Sequence, residues 1–317
     1  MKKLIFLAIF ILFSAQKPAR WGFFAHQFIN KTAIFLLPPE MFGFYKFHLQ
    51  YLAENAVNPD KRRYAVEGEA PKHYIDLDVY GDSAVWKMPR YWKQAVEFYC
   101  EDTLLAYGIV PWHLQHMKYR LTEAFKERNA GKILAISADL GHYIGDANVP
   151  LHTTENYNGQ KTNQYGIHGF WESRLPELFY KEYDFFFENK ANYLKNTQLE
   201  AWRAVMNAHF ALDSVFRFEK ELTKEFGDDR KYSFETRNGM LSKVYSREFS
   251  TAYHDRLNGQ VERQMRSAIQ MVADFWFTCW VDAGQPNLDQ LLNENFEPDI
   301  ESDSSKNEIV SRPHENE

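Results

Sequence analysis

The amino-acid sequence predicts an all-α fold, and the spacing of its apolar residues carries that prediction. Apolar residues recur at alternating steps of four and three, which is the spacing of a buried helix face. The clearest stripe runs through residues 258–282 and contains Val261, Met265, Ala268, Val272, Phe275 and Cys279. No strand-turn-strand alternation of any length is evident, and no Pro/Gly/Ser-rich linker divides the chain. We therefore expect one multi-helix domain over residues 21–292.

The individual helices follow from their apolar stripes and from the residues that break them. Residues 25–37 form one stripe, and Pro38-Pro39 stops that helix. Residues 131–146 form a second stripe that ends near Asp146. Further helices are predicted over residues 40–56, 90–106, 111–129, 198–226 (long enough to contain a break) and 258–282. Residues 57–73 and 147–167 remain as long loops, and long ordered loops are often functional.

The two ends of the chain differ from its body. Met1-Lys2-Lys3 precedes a purely apolar run over residues 4–13, a pattern typical of a secretory signal and too short for an ordinary membrane span. We interpret residues 1–20 as a signal peptide, or alternatively as an N-terminal anchor, and expect an exported protein, periplasmic or secreted. Residues 293–317 are acidic and poor in large apolar residues, which predicts a disordered tail.

Composition and charge narrow the functional classes. Hydrophobic residues make up 45% of the 317 residues and charged residues 25%, which is ordinary globular chemistry and excludes a polytopic membrane protein. A net charge of −6 lacks the overall basic footprint of a duplex-binding protein. The sequence contains neither a phosphate-binding glycine loop nor a nucleophile elbow, which disfavours nucleotide-dependent and serine-hydrolase chemistry.

The two cysteines limit the kind of metal site that the chain can build. Cys100 and Cys279 are too few for a thiolate cluster, so a metal site must use histidine and carboxylate ligands. Export would permit a disulfide between them, and two free thiols are the alternative.

Histidine–carboxylate pairs mark the informative stretch of the sequence. His142 and Asp146 stand four residues apart at a predicted helix end, so both project from one face and can share a divalent cation. Pro150 then ends the helix and brings His152 round in extended chain.

A second pair, His168 and Glu172, has the same spacing. A third pair, His209 and Asp213, lies inside a regular helix without further ligands nearby, and we attribute it to chance.

Other candidate ligands lie upstream, near predicted element boundaries. They are Trp21, His26, Asp60 and His73. Asp60 lies in the turn sequence Asn58-Pro59-Asp60, and His73 follows Pro71. Such placement suits metal binding, although histidines that are satisfied within a helical core remain the structural alternative.

The run His142-Tyr-Ile-Gly-Asp146-Ala-Asn-Val-Pro-Leu-His152 resembles the central motif of the zinc-dependent phospholipases C. The related single-strand-specific zinc nucleases share this motif. The resemblance extends in order from Trp21 to Glu172 and continues weakly through the helical C-terminal half. Both families are helical enzymes with up to three zinc ions in one cleft, so the resemblance implies the same fold and a phosphoric diester hydrolase.

The resemblance implies a ligand set for each ion. The first zinc would be held by Asp60, His73, His142 and Asp146. The second zinc would be held by His152, His168 and Glu172. The third zinc would be held by His26, by Asp146 as a bridge, and by the α-amine and carbonyl of Trp21, which requires Trp21 to be the mature N-terminus. Asp60 and Asp146 are the expected catalytic residues, with Asp60 as general base.

The substrate class follows from details of the motif. Glu172 as the last ligand favours the phospholipase branch, because the nuclease branch usually has aspartate there. The step from Trp21 to His26, and Trp171 beside the ligand, resemble the nucleases. We therefore expect phospholipid or single-stranded nucleic acid as the substrate, with membrane-surface contact in the first case. A zinc-stabilised binding protein without turnover is the alternative of another class. Neither a nucleotide cofactor nor a protein partner is evident.

Aromatic and basic side chains near the motif could contact either substrate. Aromatic rings can stack on a nucleobase or surround a quaternary ammonium group. The aromatic candidates by proximity are Phe23, Phe24, Tyr64, Tyr157 and Tyr165. Lys61-Arg62-Arg63, next to Asp60, could attract an anion or could simply be solvated.

Overall fold

The computed structural model describes residues 23–237 and 239–292 of the chain, and most of these residues are helical. The prediction of an all-α class is therefore confirmed. Trp21, the predicted signal or anchor (1–20) and the predicted tail (293–317) lie outside the described residues. Within the described ranges, no helix combines the length and the apolar character that crossing a membrane requires.

The helices vary from single turns to 30 residues. In chain order they are α1 (Phe23–Ala33), α2 (Pro39–Phe47), α3 (Leu49–Asn55), α4 (Asn58–Arg62), α5 (Ala84–Lys87), α6 (Trp92–Tyr99), α7 (Glu101–Tyr107), α8 (Val110–Glu127), α9 (Ala130–Ala147), α10 (Ile167–Gly169), α11 (Leu175–Phe179), α12 (Thr197–Phe226), α13 (Asp228–Lys231), α14 (Arg247–Leu257) and α15 (Gln260–Asp282). Short 3-10 turns cover Ile34–Leu36, Ala70–His73, Leu77–Tyr80, Pro150–Thr153 and Asp289–Leu291, and a π-helical turn covers Phe170–Arg174.

Most predicted helices are present, with differences at their breaks. Residues 40–56 form two helices that meet at His48, and residues 90–106 form two helices that meet at Cys100, whose φ is 60°. α12 is one continuous helix, so the helix predicted over residues 198–226 contains no break. The segment before it, residues 180–196, is irregular and was not assigned from the sequence.

One β-hairpin corrects the expectation that no paired strands occur. Strand β1 (Tyr232–Arg237) pairs antiparallel with β2 (Met240–Tyr245). A signal was present in the sequence, because Asn238-Gly239 stands between two alternating segments, and Asn-Gly is the strongest short-range hairpin signal. The hairpin was not predicted because the alternation is confined to one short pair of segments.

The apolar interior consists of two clusters that meet at the metal-ligand candidates. The first cluster is built from α1, α8, α9, the start of α12 and most of α15. The second is built from residues 149–183, the end of α12, the hairpin and α14. Phe28 of α1 packs against both clusters. His142 and Asp146 belong to elements of the first cluster, whereas His168 belongs to a segment of the second, so the candidate ligands lie at the seam.

Two glycines allow α1 and α9 to lie very close together. A Cβ atom added to Gly141 would lie 1.9 Å from Asn30 Oδ1, and one added to Gly145 would lie 2.8 Å from His26 Nδ1. The amide of Asn30 in turn donates to the carbonyl of Ala138 at 3.0 Å, which ties the two helices together. This approach brings His26 of α1 beside the end of α9.

The two cysteines are free thiols, with Cys100 exposed and Cys279 buried in the core. The structure therefore decides between the two alternatives that the sequence left open.

Candidate metal centre

Eight of the nine predicted metal ligands lie together at the seam between the two clusters. They form three groups whose ligand atoms lie within 4.8 Å of one another. The groups are Asp60, His73 and His142, called together with Asp146 the first group; His152, His168 and Glu172, called the second group; and His26, His142 and Asp146. The ninth, Trp21, lies outside the described residues.

The first group surrounds one oxygen of Asp146. Asp146 Oδ2 lies 2.9 Å from His73 Nδ1 and 3.2 Å from His142 Nε2. Those two imidazole nitrogens are only 3.1 Å apart. Asp60 Oδ1 completes the group at 3.6 Å from His142 Nε2 and 3.8 Å from His73 Nδ1. Three donor atoms of this group therefore lie within 4.8 Å of one another, and Asp146 Oδ2 lies against two of them.

The second group surrounds one oxygen of Glu172. Glu172 Oε2 lies 2.8 Å from His168 Nε2 and 3.4 Å from His152 Nε2. His152 lies in a 3-10 turn, which corrects the expectation of extended chain after Pro150. In this 3-10 conformation the ring of His152 still points at the site.

A π-helical turn places Glu172. Phe170 in this turn stacks on Tyr245 with ring centroids 3.8 Å apart, and Trp171 donates to Gln260 Oε1 at 3.0 Å. Packing of the two residues that precede Glu172 thus holds the turn in place. π-Helical turns are rare and are frequent at functional sites.

His26 lies between the two groups. Its Nε2 is 3.4 Å from Asp146 Oδ1 and 3.3 Å from Glu172 Oε1. Its ring stacks on His142 with centroids 4.0 Å apart. His26 is therefore in contact with a carboxylate from each group.

Backbone carbonyls set the tautomers of two candidate ligands. His142 Nδ1 lies 2.9 Å from the carbonyl of Ala56, and His152 Nδ1 lies 2.6 Å from the carbonyl of His73. Because a carbonyl can only accept, Nδ1 carries the hydrogen in both rings and Nε2 faces the carboxylates. Metal-binding histidines are commonly oriented in this way.

Glu69 is a buried carboxylate beside the first group that the sequence prediction missed. It accepts hydrogen bonds from Tyr143 Oη, from Lys72 at 3.2 Å and from Arg62 at 3.4 Å. Its Oε1 also lies 3.9 Å from His73 Nε2, the ring nitrogen that points away from the site. The Glu-x-x-x-His spacing was visible in the sequence, but Glu69 had no motif around it.

The pKa values of the site follow from burial and from the mixture of charges. Burial lowers the pKa of His73 to about 4, although Asp146 opposes that change. Burial also disfavours the charged form of His142, but Asp146 and Asp60 outweigh it and raise its pKa to about 9.

The carboxylates of Asp146 and Glu172 remain ionised. Burial opposes ionisation of Asp146, but His142 and His152 hold its pKa well below the usual range. Burial likewise opposes ionisation of Glu172, but hydrogen bonds with His152, His168 and His26 hold its pKa well below the usual range. Ionised carboxylates that face several imidazole nitrogens are a donor set suited to a divalent cation.

A small cavity lies behind His26. His26 Nδ1 and Asn148 Oδ1 are buried and have no hydrogen-bond partner among the described residues. Both residues line the same cavity, whose volume of about 20 Å³ is large enough for one water molecule. Asn148 Nδ2 donates to the carbonyl of Ile144, so Oδ1 is the atom that can accept from such a water.

The other sequence candidates have varied surroundings. His209 contacts Thr153 Oγ1 at 3.1 Å, while Asp213 pairs with Arg217 at 3.1 Å on the surface, so the two do not form a ligand pair. Arg62 of the basic run is engaged by Asp139 at 2.8 Å. This pairing accounts for Arg62 without a bound anion.

The candidate aromatic side chains divide by exposure. Tyr64 and Tyr165 are exposed, whereas Tyr157 is buried with its ring 5.9 Å from that of His168. Phe24 packs on Tyr180 with ring centroids 4.7 Å apart.

The donor set fits a divalent metal ion. Neutral imidazoles and ionised carboxylates are zinc ligands, and the backbone carbonyls that orient His142 and His152 are the outer partners that such ligands need. A scan against protein-family models found no match, and no curated protein matched the chain. The case for a metal therefore rests on the geometry of these residues.

Proposed function

We propose that the protein is an exported, zinc-dependent phosphoric diester hydrolase of the phospholipase C type. One observation carries the proposal. Asp146, which is buried, and Glu172, which is partly buried, each present one oxygen to a pair of histidines, and His26 contacts the other oxygen of each. Adjacent sites joined by shared carboxylates are the arrangement that metal-assisted hydrolysis of phosphate esters uses. The motif around His142 and His152 supports the same family.

The residues that would hold zinc are the eight side chains at the seam. When bound, zinc supplies a nucleophilic water at neutral pH and neutralises charge on phosphoryl oxygens. The protein orients these ligands with the carbonyls of Ala56 and His73.

Asp60 is the residue best placed to move a proton. Its side chain is 24% exposed, compared with 13% for Glu172 and 1% for Asp146. The carboxylate that reaches towards solvent can accept a proton from the attacking water, so Asp60 is the proposed general base.

The substrate class that we favour is phospholipid. Trp171, one of the two features that resemble the nucleases, is buried and donates its indole hydrogen to Gln260, so its ring is not available to stack on a base. Tyr64 and Tyr165 are exposed and could contact a quaternary ammonium head group.

The experiment that tests the function offers two substrates side by side. The zinc-loaded protein, both as the full chain and as the form beginning at Trp21, is mixed with phosphatidylcholine vesicles and with single-stranded DNA. Release of phosphocholine that a chelator abolishes is the expected result. Cleavage of DNA alone would replace the phospholipase proposal with the nuclease. Turnover of neither substrate by protein that retains zinc would favour a binding protein.

Replacing Asp146 should be the most damaging single change. Asp146→Asn keeps the volume of the side chain but removes the charge that His73, His142 and His26 share. Loss of an outer partner alone costs up to ~100-fold, so loss of a ligand should reduce turnover by more than that. Asp213→Asn on the surface of α12 is the matched control and should change nothing. Full zinc content and activity in the Asp146 variant would contradict the proposed site.

A further inference from the structure

The two shared carboxylates divide their oxygens in the same way. Asp146 directs Oδ2 towards His73 and His142, at 2.9 and 3.2 Å, and directs Oδ1 towards His26 at 3.4 Å. Glu172 directs Oε2 towards His168 and His152, and directs Oε1 towards His26 at 3.3 Å. Each carboxylate therefore contributes one oxygen to its own pair of histidines and the other oxygen to His26.

From this symmetry we infer that His26, Asp146 and Glu172 hold the third zinc ion without the N-terminal α-amine. Glu172 is then a second bridge, linking the third site to the second just as Asp146 links it to the first. This inference rests on the proposed function. It differs from the arrangement that the family resemblance implies, in which Trp21 completes the third site and Glu172 serves the second site alone.

The donor set is chemically sufficient. One imidazole and two carboxylates are three protein ligands, the number that a zinc site with an open position uses. The carboxylates of Asp146 and Glu172 both contact the same imidazole nitrogen. A divalent cation bound there would neutralise their two negative charges. All three side chains belong to the described residues and are nearly buried, with side-chain exposures of 3%, 1% and 13% in the order given.

The position of His26 is determined by its contacts with α9. Its ring stacks on His142, and its Nδ1 side lies against Gly145 of α9. The ring that faces Asp146 and Glu172 is therefore held from two sides by α9. The third site should form wherever the chain begins, provided that α1 is intact.

The test counts zinc ions per chain by native mass spectrometry, a measurement that does not depend on turnover. Two forms are compared: the full chain, in which the nitrogen of Trp21 is a peptide amide and cannot bind metal, and the form that begins at Trp21. We expect three ions in both. Three ions in the trimmed form and two in the full chain would show that the α-amine is required and would overturn the inference.

Other outcomes separate this inference from the proposed function. Two ions in both forms would show that the third site does not exist and would overturn the inference. The proposed function would survive as a hydrolase with two zinc ions. No zinc in either form would instead remove the proposed function itself.

Three variants of the full chain sharpen the assignment. His26→Ala should reduce the count from three ions to two. Glu172→Gln should reduce it to one, because the second and third sites both lose a charged ligand, whereas a count of two would mean that Glu172 serves a single site and would refute the inference. His209→Ala is the matched control, since His209 contacts Thr153 beside the site but belongs to none of the ligand groups, and it should retain three ions.

Discussion

Single residues around the ligands hold the candidate centre in shape. Ala56 and His73 orient two imidazoles through their carbonyls. Glu69 gathers three donors from different elements and lies beside the far nitrogen of His73. Outer partners of this kind usually contribute ten- to a hundredfold to metal affinity.

Glu69→Gln should therefore weaken zinc binding in the first group by roughly 10- to 100-fold. The amide cannot match the charge that holds Lys72, Arg62 and the ring of His73. Zinc affinity measured by competition with a chelating dye tests this expectation.

Glu219→Gln is the matched control for Glu69, because Glu219 is equally buried and pairs with Lys231 at 2.6 Å away from the ligands. Both variants should lose stability, since removing one partner from a buried pair costs ~3–5 kcal/mol. Equal zinc affinity in both variants would reduce Glu69 to a structural role.

Asn148→Leu should weaken the third ion selectively. The leucine would remove the Oδ1 acceptor through which a water in the cavity could orient His26 Nδ1. Counting ions over a zinc titration is the measurement, and we expect the last ion to need roughly 10-fold more zinc.

Asn129→Leu serves as the control for Asn148. It removes a different side-chain bond of the same helix, the N-terminal cap to Lys132, and should cost about 1 kcal/mol of stability without changing the titration. A third ion that binds equally well in the Asn148 variant would exclude the water-linked orientation.

Secondary-structure elements bring the ligands to one place. α9 carries His142 and Asp146 at one end, and its two glycines let α1 approach closely enough for His26 to reach them. The π-helical turn after α10 aims Glu172 at the same point, because packing of Phe170 and Trp171 fixes the turn.

Gly145→Ala should disturb the third site even though alanine is the better helix former. Propensity favours alanine by ~1 kcal/mol, but the new Cβ would lie 2.8 Å from His26 Nδ1 and must displace that ring. We expect two zinc ions instead of three. Gly169→Ala is the matched control, because nothing lies within 4 Å of its added Cβ and it should keep all three ions. A Gly145 variant that holds three ions would show that α1 can shift without cost.

At the scale of the whole molecule, the ligands come from both apolar clusters. Residues of α1 and α9 belong to the first, and residues 149–183 belong to the second. A metal bound at the seam would therefore cross-link the two clusters, and its binding free energy would add to the stability of the fold.

Chelation should lower the melting temperature of the protein. Zinc at 100 times its dissociation constant contributes about 2.7 kcal/mol, which corresponds to a shift of roughly 5–10 °C. Calorimetry with and without a chelator measures the shift. The Asp146→Asn variant should show a smaller one, and an unchanged wild-type melting temperature would argue against metal at the seam.

The long helices could be predicted because they depend on local spacing of apolar residues. α9, α12 and α15 follow their stripes closely. The breaks at His48 and Cys100 were not predicted, because neither position has a proline or glycine to mark it. The hairpin was not predicted, although the dipeptide Asn238-Gly239 indicates such a turn.

The sequence by itself determined the ligand candidates and the helical class. The spacing of His142 and Asp146 is a property of one helix, and proximity along the chain is enough to recognise it. Only the tertiary structure placed His26 between Asp146 and Glu172, set Glu69 beside His73, and buried Trp171 against Gln260. Those relations join residues far apart in the chain, and they depend on packing between helices, which no local pattern records.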